Sequence, residues 1–153
     1  WNGFDPLNIG RVTISDIKLT AGVPGSKHNG GLLLNYRPHA SISGQFVWFA
    51  AFLDYDTQQV RFVRFNGTVP IDVISVSAPG IVLDEWYHME VKTEPASGTT
   101  NITISVTGIT TPTYTATVGP FSVSSYSPST GKNGVYADRA ATYWSFWCYD
   151  EIH

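Results

Sequence analysis

Between residues 29 and 66 three apolar segments follow one another with two polar interruptions. The first, Gly30-Gly31-Leu32-Leu33-Leu34-Asn35-Tyr36, is led by glycine. The second, Phe46-Val47-Trp48-Phe49-Ala50-Ala51-Phe52-Leu53, is apolar on both alternating faces, the pattern of a strand covered on both sides. The third, Val60-Arg61-Phe62-Val63-Arg64-Phe65, is built of β-branched and aromatic residues, with two arginines three positions apart. Between the last two segments, Asp54-Tyr55-Asp56-Thr57-Gln58-Gln59 carries the Asp and Thr of a tight reversal. The pattern predicts a β-meander at the centre of a sheet protein, with the rest of the chain covering it.

The flanking segments are read the same way. Residues 1–10 hold two turn signals, Asn2-Gly3 and Asp5-Pro6, and form a lead-in. Across residues 11–20, Val12 and Ile14 share one face of an extended chain while Ile17 and Leu19 share the other. The alternation therefore slips near Ser15 and Asp16, and a bulge is expected there. Residues 68–77 continue in strand style, with Val69, Ile71, Val73 and Ile74 as apolar positions. In residues 84–92, Tyr87, Met89 and Val91 alternate with His88, Glu90 and Lys92, which favours a half-buried strand over a helix. Ile102, Ile104 and Val106 alternate with Thr103, Ser105 and Thr107 in the same manner. The Thr/Ser/Pro-rich stretch 110–129 contains Tyr114–Val118 and Phe121–Val123, short enough and apolar enough for strands, so it belongs to the domain and not to a linker. Residues 135–137 and 142–153 close the chain with aromatic-rich strands. Ten or so short strands with turn signals between them predict one all-β domain, residues 1–153, folded as an antiparallel two-sheet sandwich.

Composition narrows the function classes. Charged residues are 14% of the 153, aromatics also 14%, and the net charge is −3. The nine Lys and Arg are scattered, so the basic stripe of a nucleic-acid binder is absent and no nucleic acid is expected as partner. No apolar run approaches the roughly 20 residues of a membrane span, so no membrane insertion is expected. A single cysteine, Cys148, lies among aromatics and reads as a small buried hydrophobe. Two sequons, Asn66-Gly67-Thr68 and Asn101-Ile102-Thr103, point to an extracellular or cell-surface glycoprotein. The start at Trp1 without methionine implies a piece of a longer chain, with neighbouring domains as partners.

Three stretches resemble the concanavalin A-like (laminin-G-like) jelly-roll superfamily. They are the glycine-led strand with the two segments after it, then Glu85-Trp86-Tyr87-His88-Met89-Glu90-Val91 with residues 102–106 as its hairpin partner. The third is Gly134-Val135-Tyr136-Ala137 followed by Trp147-Cys148-Tyr149-Asp150-Glu151-Ile152. Together they cover most of the chain from Arg11 onward. The resemblance implies a jelly-roll sandwich and a choice among lectin, glycosidase, adhesion module and spacer. It also implies a structural calcium, with Asp150 of the closing strand as ligand and Asp16 beside it as second ligand.

Glycosidases of this superfamily place two carboxylates two apart on one strand, and a retaining pair needs a separation of about 5 Å. Asp54 and Asp56 have that spacing, but at a reversal, where solvated acids are the rule. The four histidines show no metal-ligand spacing, although His28 and His39 flank one strand and could approach each other. The chain is therefore not expected to be an enzyme. Binding a polysaccharide or glycan needs aromatic faces and planar polar groups. The candidates are Asn35, Arg37, Arg61, Arg64, Tyr55 and Trp144, with Arg61 and Arg64 on opposite faces of their strand. The rival reading is a structural or adhesion subunit that self-assembles into a surface layer, fibre or appendage through an exposed strand at residues 144–152.

Overall fold

The structure is a computed structural model. It describes residues 10–21, 27–126, 131–137 and 142–151, with Gly10 and residues 142–151 described by their backbone alone. Residues 1–9 of the expected lead-in, and Ile152 and His153, lie outside the described residues, while Gly10 already belongs to the first strand.

Among the described residues, ten strands form two antiparallel sheets: β1 (Gly10–Leu19), β2 (Asn29–Pro38), β3 (Phe46–Asp54), β4 (Gln59–Phe65), β5 (Pro70–Ser77), β6 (Trp86–Ala96), β7 (Thr99–Gly108), β8 (Thr115–Val123), β9 (Lys132–Tyr136) and β10 (Thr142–Glu151). One sheet has the order β10-β1-β6-β7-β8 and the other β5-β4-β3-β2-β9. The expected meander is present as β2 to β5, and a second meander, β6 to β8, faces it. After these, β9 returns beside β2 and β10 beside β1. The fold is an all-β, two-sheet sandwich.

The core lies between the sheets. From one side come Ile17, Leu19, Tyr87, Met89, Val91, Ile102, Ile104 and Val106; from the other come Leu32, Leu34, Phe49, Ala51, Leu53, Val60 and Phe62. Alternation along β6 and β7 sends every second residue inward, as their sequences predict.

Two strands depart from the expected pattern. In β1 the register with both neighbours runs without a break, so there is no bulge at Ser15 and Asp16. The inward positions are Thr13, Ser15, Ile17 and Leu19, and Val12 is buried on the opposite face. Two small polar residues thus take core positions that the sequence assigned to Val12 and Ile14. Thr13 is accommodated because Asn133 Nδ2 donates to its Oγ1 at 2.9 Å while Asn133 Oδ1 accepts from the Asn35 amide at 3.0 Å. That chain of bonds ties β1 to β9 and β2 across the sandwich. In β5 the register shifts where Ile74 pairs with Phe62 and Asp72 with Val63. Val73 is the extra residue, and Val69, Ile71 and Val73 end up exposed while Ile74 and Val76 pack on the core.

The loop between β5 and β6 is held down by one side chain. Gln58, at φ 53°, donates from Nε2 to the carbonyls of Tyr55 and Ile81, each at 2.9 Å. Its Oε1 accepts from the amides of Gly80 and Ile81 at 2.9 and 3.0 Å. The Tyr87 hydroxyl clasps the next residue, accepting from Val82 N at 2.7 Å and donating to Val82 O at 3.1 Å.

Gln58→Ala removes four bonds and leaves the amides of Gly80 and Ile81 and the Ile81 carbonyl without that partner, while the Tyr55 carbonyl keeps the Gln58 backbone amide. It should lower unfolding free energy by roughly 2 kcal/mol or more, read as a drop in urea midpoint at unchanged slope.

Candidate functional site

The outward face of the β2-to-β5 sheet is apolar where solvent would be expected. β3 sends Phe49, Ala51 and Leu53 into the core, and its alternate residues Ala50 and Phe52 are also buried, on the other side, with Val63 of β4. They are roofed by aromatic rings. Trp48 stacks on Phe65 with centroids 5.0 Å apart and planes 13° apart, as their pairing across β3 and β4 dictates. Tyr136 of β9 lies 5.6 Å from Trp48 and 5.0 Å from Phe52. Phe65, Trp48, Tyr136 and Phe52 therefore form a continuous aromatic row supplied by three strands, β4, β3 and β9.

Gly31 makes that row possible. It pairs with Phe52 on one side and Tyr136 on the other, so their rings meet above it. A Cβ there would run into the Ala51 carbonyl and come within 2.5 Å of Phe52 Cα.

Arg61 borders the row. It pairs with Phe52, and its guanidinium carbon stands 5.3 Å from that ring's centre. Nη2 donates to both Asp72 oxygens at 2.8 Å and Nε to Asp72 Oδ1 at 3.1 Å, while Nη1 donates to Asp54 Oδ2 at 3.0 Å. Partial burial pulls its pKa down, but the bonds to Asp72 and Asp54 outweigh that, so it is raised and the side chain stays charged. Asp54 is itself held by its Oδ1, which accepts from the Thr57 amide at 3.2 Å and closes the β3–β4 turn. Lys27, Asp54, Asp56, Arg61, Phe52 and Tyr136 are among the residues lining a cleft of about 330 Å3.

The lip of this cleft carries a titratable clamp. His28 Nδ1 lies 2.8 Å from Asp56 Oδ1 and Nε2 lies 3.0 Å from the Ala21 carbonyl, while the His28 amide donates to Asp56 Oδ2 at 3.0 Å. Both ring nitrogens face acceptors, which suits the imidazolium. The bond to Asp56, then that to Ala21, raises the His28 pKa above its ordinary 6.5 against a smaller opposing effect of burial. Burial pushes Asp56 up, but its bonds from His28 and the charge of Lys27 leave it below its ordinary 3.8.

The candidates named from sequence separate. Arg61 lies in the cleft, and Arg64 on the opposite face of β4, as expected, since Arg61 pairs with Phe52 and Arg64 with Phe49. Arg37 and Arg64 share a second, smaller cavity with His39. Asn35 is a correction: it is 1% exposed, at φ 55° in the irregular stretch of β2, and its amide is spent on Asn133. A residue at a bulge turns its side chain off the strand's alternation, which spacing alone could not reveal. Tyr55 stands edge-on to His28 and packs on the core, outside the lining of either cavity. Trp144 belongs to β10 in the other sheet, with its backbone opposite Ile17, and its side chain lies outside the described residues.

The expected calcium pair does not assemble. Asp150 is opposite Arg11 and Asp16 opposite Ser145, five positions away, or about 17 Å along the strand. Asp16 Oδ1 instead lies 2.7 Å from His88 Nδ1, its cross-strand neighbour. Among the described residues no group of three or more His, Cys, Asp or Glu could hold a metal ion. His28 and His39 sit at opposite ends of β2, a strand of ten residues, and do not meet. Asp54, expected as a solvated turn acid, is buried against Arg61.

No known protein family matches the sequence, and no curated protein does. The solved structures do offer a match. In fold, the chain is similar to carbohydrate-binding module CBM66 from Bacillus subtilis. The TM-score is 0.56 at 18% identity, over 89% of this chain and 71% of that one. At that identity the likeness establishes a shared β-sandwich. Sequence reasoning missed Phe65, Tyr136 and Asp72, and weighed Asp54 only as a catalytic acid. The register of β3 against β4 was the signal for Phe65, since it puts that ring over Trp48. Tyr136 had none, because β9 reaches β2 only through the sandwich.

Stability should carry the signature of the His28–Asp56 clamp. Because the folded His28 pKa is raised, its contribution is full below 6.5 and is lost as pH rises through the folded value. The Asp56 contribution is present above 3.8 and is lost as pH falls through its lowered value. Urea denaturation across that range should show the wild type losing stability on the alkaline side, and His28→Gln should flatten that limb.

Proposed function

We propose that this chain is a non-catalytic carbohydrate-binding module of the concanavalin A-like jelly-roll type, carried by a secreted or cell-surface protein. One observation carries the reading: the row Phe65, Trp48, Tyr136 and Phe52 lies beside an arginine that two aspartates hold in place. The apolar faces of pyranose or furanose rings stack on aromatic rings, and planar polar groups at the edge bond the hydroxyls. Arg61 and Asp72 are both solvent-accessible at the rim, so each can turn an unused donor or acceptor to a ligand. The likeness in fold to a carbohydrate-binding module supports the same reading. Phe52, at the end of the row, is buried together with Ala50, so Trp48, Phe65 and Tyr136 are the rings a sugar would meet first.

A second reading, self-assembly through sheet edges, is favoured by β5. It is the outer strand of its sheet, with Ile71 and Val73 standing 54% and 40% exposed along it and Val69, just before it, 60% exposed. β10 is the outer strand of the other sheet. Sedimentation velocity separates the two, since a binding module stays monomeric without glycan and an assembly subunit forms large species by itself.

A glycan array on the purified domain should give a specific polysaccharide or oligosaccharide hit. Trp48→Ala and Arg61→Ala should each weaken that hit by about tenfold or more, with the fold intact by circular dichroism. A folded sample with no hit would sink the reading. Repeating the array with calcium and then a chelator tests the structural calcium implied by the superfamily resemblance, and a hit that survives the chelator removes the metal.

A further inference from the structure

A second cavity, of about 160 Å3, opens at the end of the sandwich, where Arg64 of β4 points along the inner face past Phe49. Its lining combines Arg37, His39, Arg64, Asn66 and Ser125 with the apolar Val47, Phe49 and Phe65. Among these described residues two are permanent cations, one is an imidazole, two are neutral hydrogen-bonding groups, and none is a carboxylate. The contrast with the Arg61 cleft is sharp, for there Asp54 and Asp72 hold the cation and Asp56 lines the same cleft.

Arg64 is the informative member. It continues the inward row of Val60 and Phe62, so a charge occupies a position in the core's own register. Its guanidinium has one hydrogen bond among the described residues, a 3.4 Å contact from Nη1 to Ser125 Oγ, and no ion pair. Arg61, on the same strand, is bracketed by two carboxylates. A half-buried guanidinium with a fork of donors and a single long neutral contact is a site prepared for an oxyanion. Arg37 stands across from it on β2, and Asn66 and His39 add further polar groups at the mouth.

We propose that this cavity is an anion subsite that takes the carboxylate or sulfate of an acidic sugar residue. Recognition of the anion rests on the cavity's own residues. Its delivery by a sugar rests on the carbohydrate reading of the outward face, because Phe65 belongs to both places. Its ring stacks on Trp48 in the aromatic row and the residue also borders the cavity, so the row and the anion pocket adjoin at Phe65. Val47 and Phe65 border the cavity with apolar groups while the Arg64 guanidinium holds the charged substituent.

The test is residue-resolved NMR titration of the whole chain, made in a host that does not glycosylate Asn66. The probes are glucuronate, glucose as its neutral counterpart, and inorganic sulfate. Glucuronate should shift the signals of Arg64 Nε–H, His39 and Ser125 saturably, and more strongly at low ionic strength. Glucose should leave those signals in place. Arg64→Gln should weaken glucuronate binding by about tenfold or more, and Arg64→Lys, which keeps the charge and the fold but loses the fork, should fall between. No saturable shift at these residues in a folded sample overturns the proposal. Sulfate binding as tightly as glucuronate overturns the sugar source and leaves an inorganic-anion pocket. Because shifts are read at each residue, loss of neutral-glycan binding around Phe52 and Tyr136 would sink the outward-face reading without touching the anion pocket.

Discussion

Phe49, Ala51 and Leu53 must leave water on one face of β3, and Ala50 and Phe52 must leave it on the other. A strand apolar on both faces can be satisfied only if something covers each. The second sheet covers the first face and makes the core. Among the described residues the opposite face has no third layer, and the protein covers it with its own rings: Trp48 and Tyr136 lie over Ala50, Phe52 and Val63, with Phe65 stacked on Trp48. The outer surfaces of those rings become the candidate binding surface. Binding chemistry here is a consequence of how the central strand is buried.

The polar groups around that strand follow from the same constraint. Arg61 pairs with Phe52, so its charge sits over an aromatic ring at the edge of an apolar patch, where an unpartnered guanidinium would be costly. Asp54 and Asp72, one on each neighbouring strand, meet that need. The Asp54 side chain is 9% exposed and Asp72 is 44% exposed, so the inner carboxylate fixes the arginine and the outer one stays within reach of solvent. The result is a rigid charged edge to an aromatic floor. Three positions along the strand, Arg64 faces the other way and has no such carboxylates among the described residues. Two arginines in one short strand therefore have different chemistry, set by which neighbours the sheet puts beside them.

The loops are fastened by single side chains rather than by length. Gln58 uses both donors and both acceptor directions of its amide on the β3–β4 turn and the β5–β6 loop. His28 joins the segment before β2 to the β3–β4 turn through Asp56. Both anchors meet at one end of the sandwich, on the flank of the Arg61 cleft. Tyr114, whose burial pushes its hydroxyl up to about 12, stays a neutral donor to the Ala78 carbonyl beside the same loop.

Period-two alternation by itself determined the all-β class, the meander, and the inward residues of β6 and β7, because those strands are apolar on one face and polar on the other. The two-sided burial of β3 and the opposite facing of Arg61 and Arg64 were legible for the same reason. What the alternation could not show was any place where a strand breaks step or where a polar residue is buried. Asn35 and Val73 change face at irregularities, and Thr13 and Ser15 enter the core because Asn133, more than a hundred positions away, and the local backbone bond them. Those outcomes depend on neighbours brought by the fold. So do Tyr136 over Gly31, Asp72 on Arg61, and the five-residue offset that keeps Asp16 from Asp150. A sequence states which residues can leave water, and only the pairing of strands decides which of them meet.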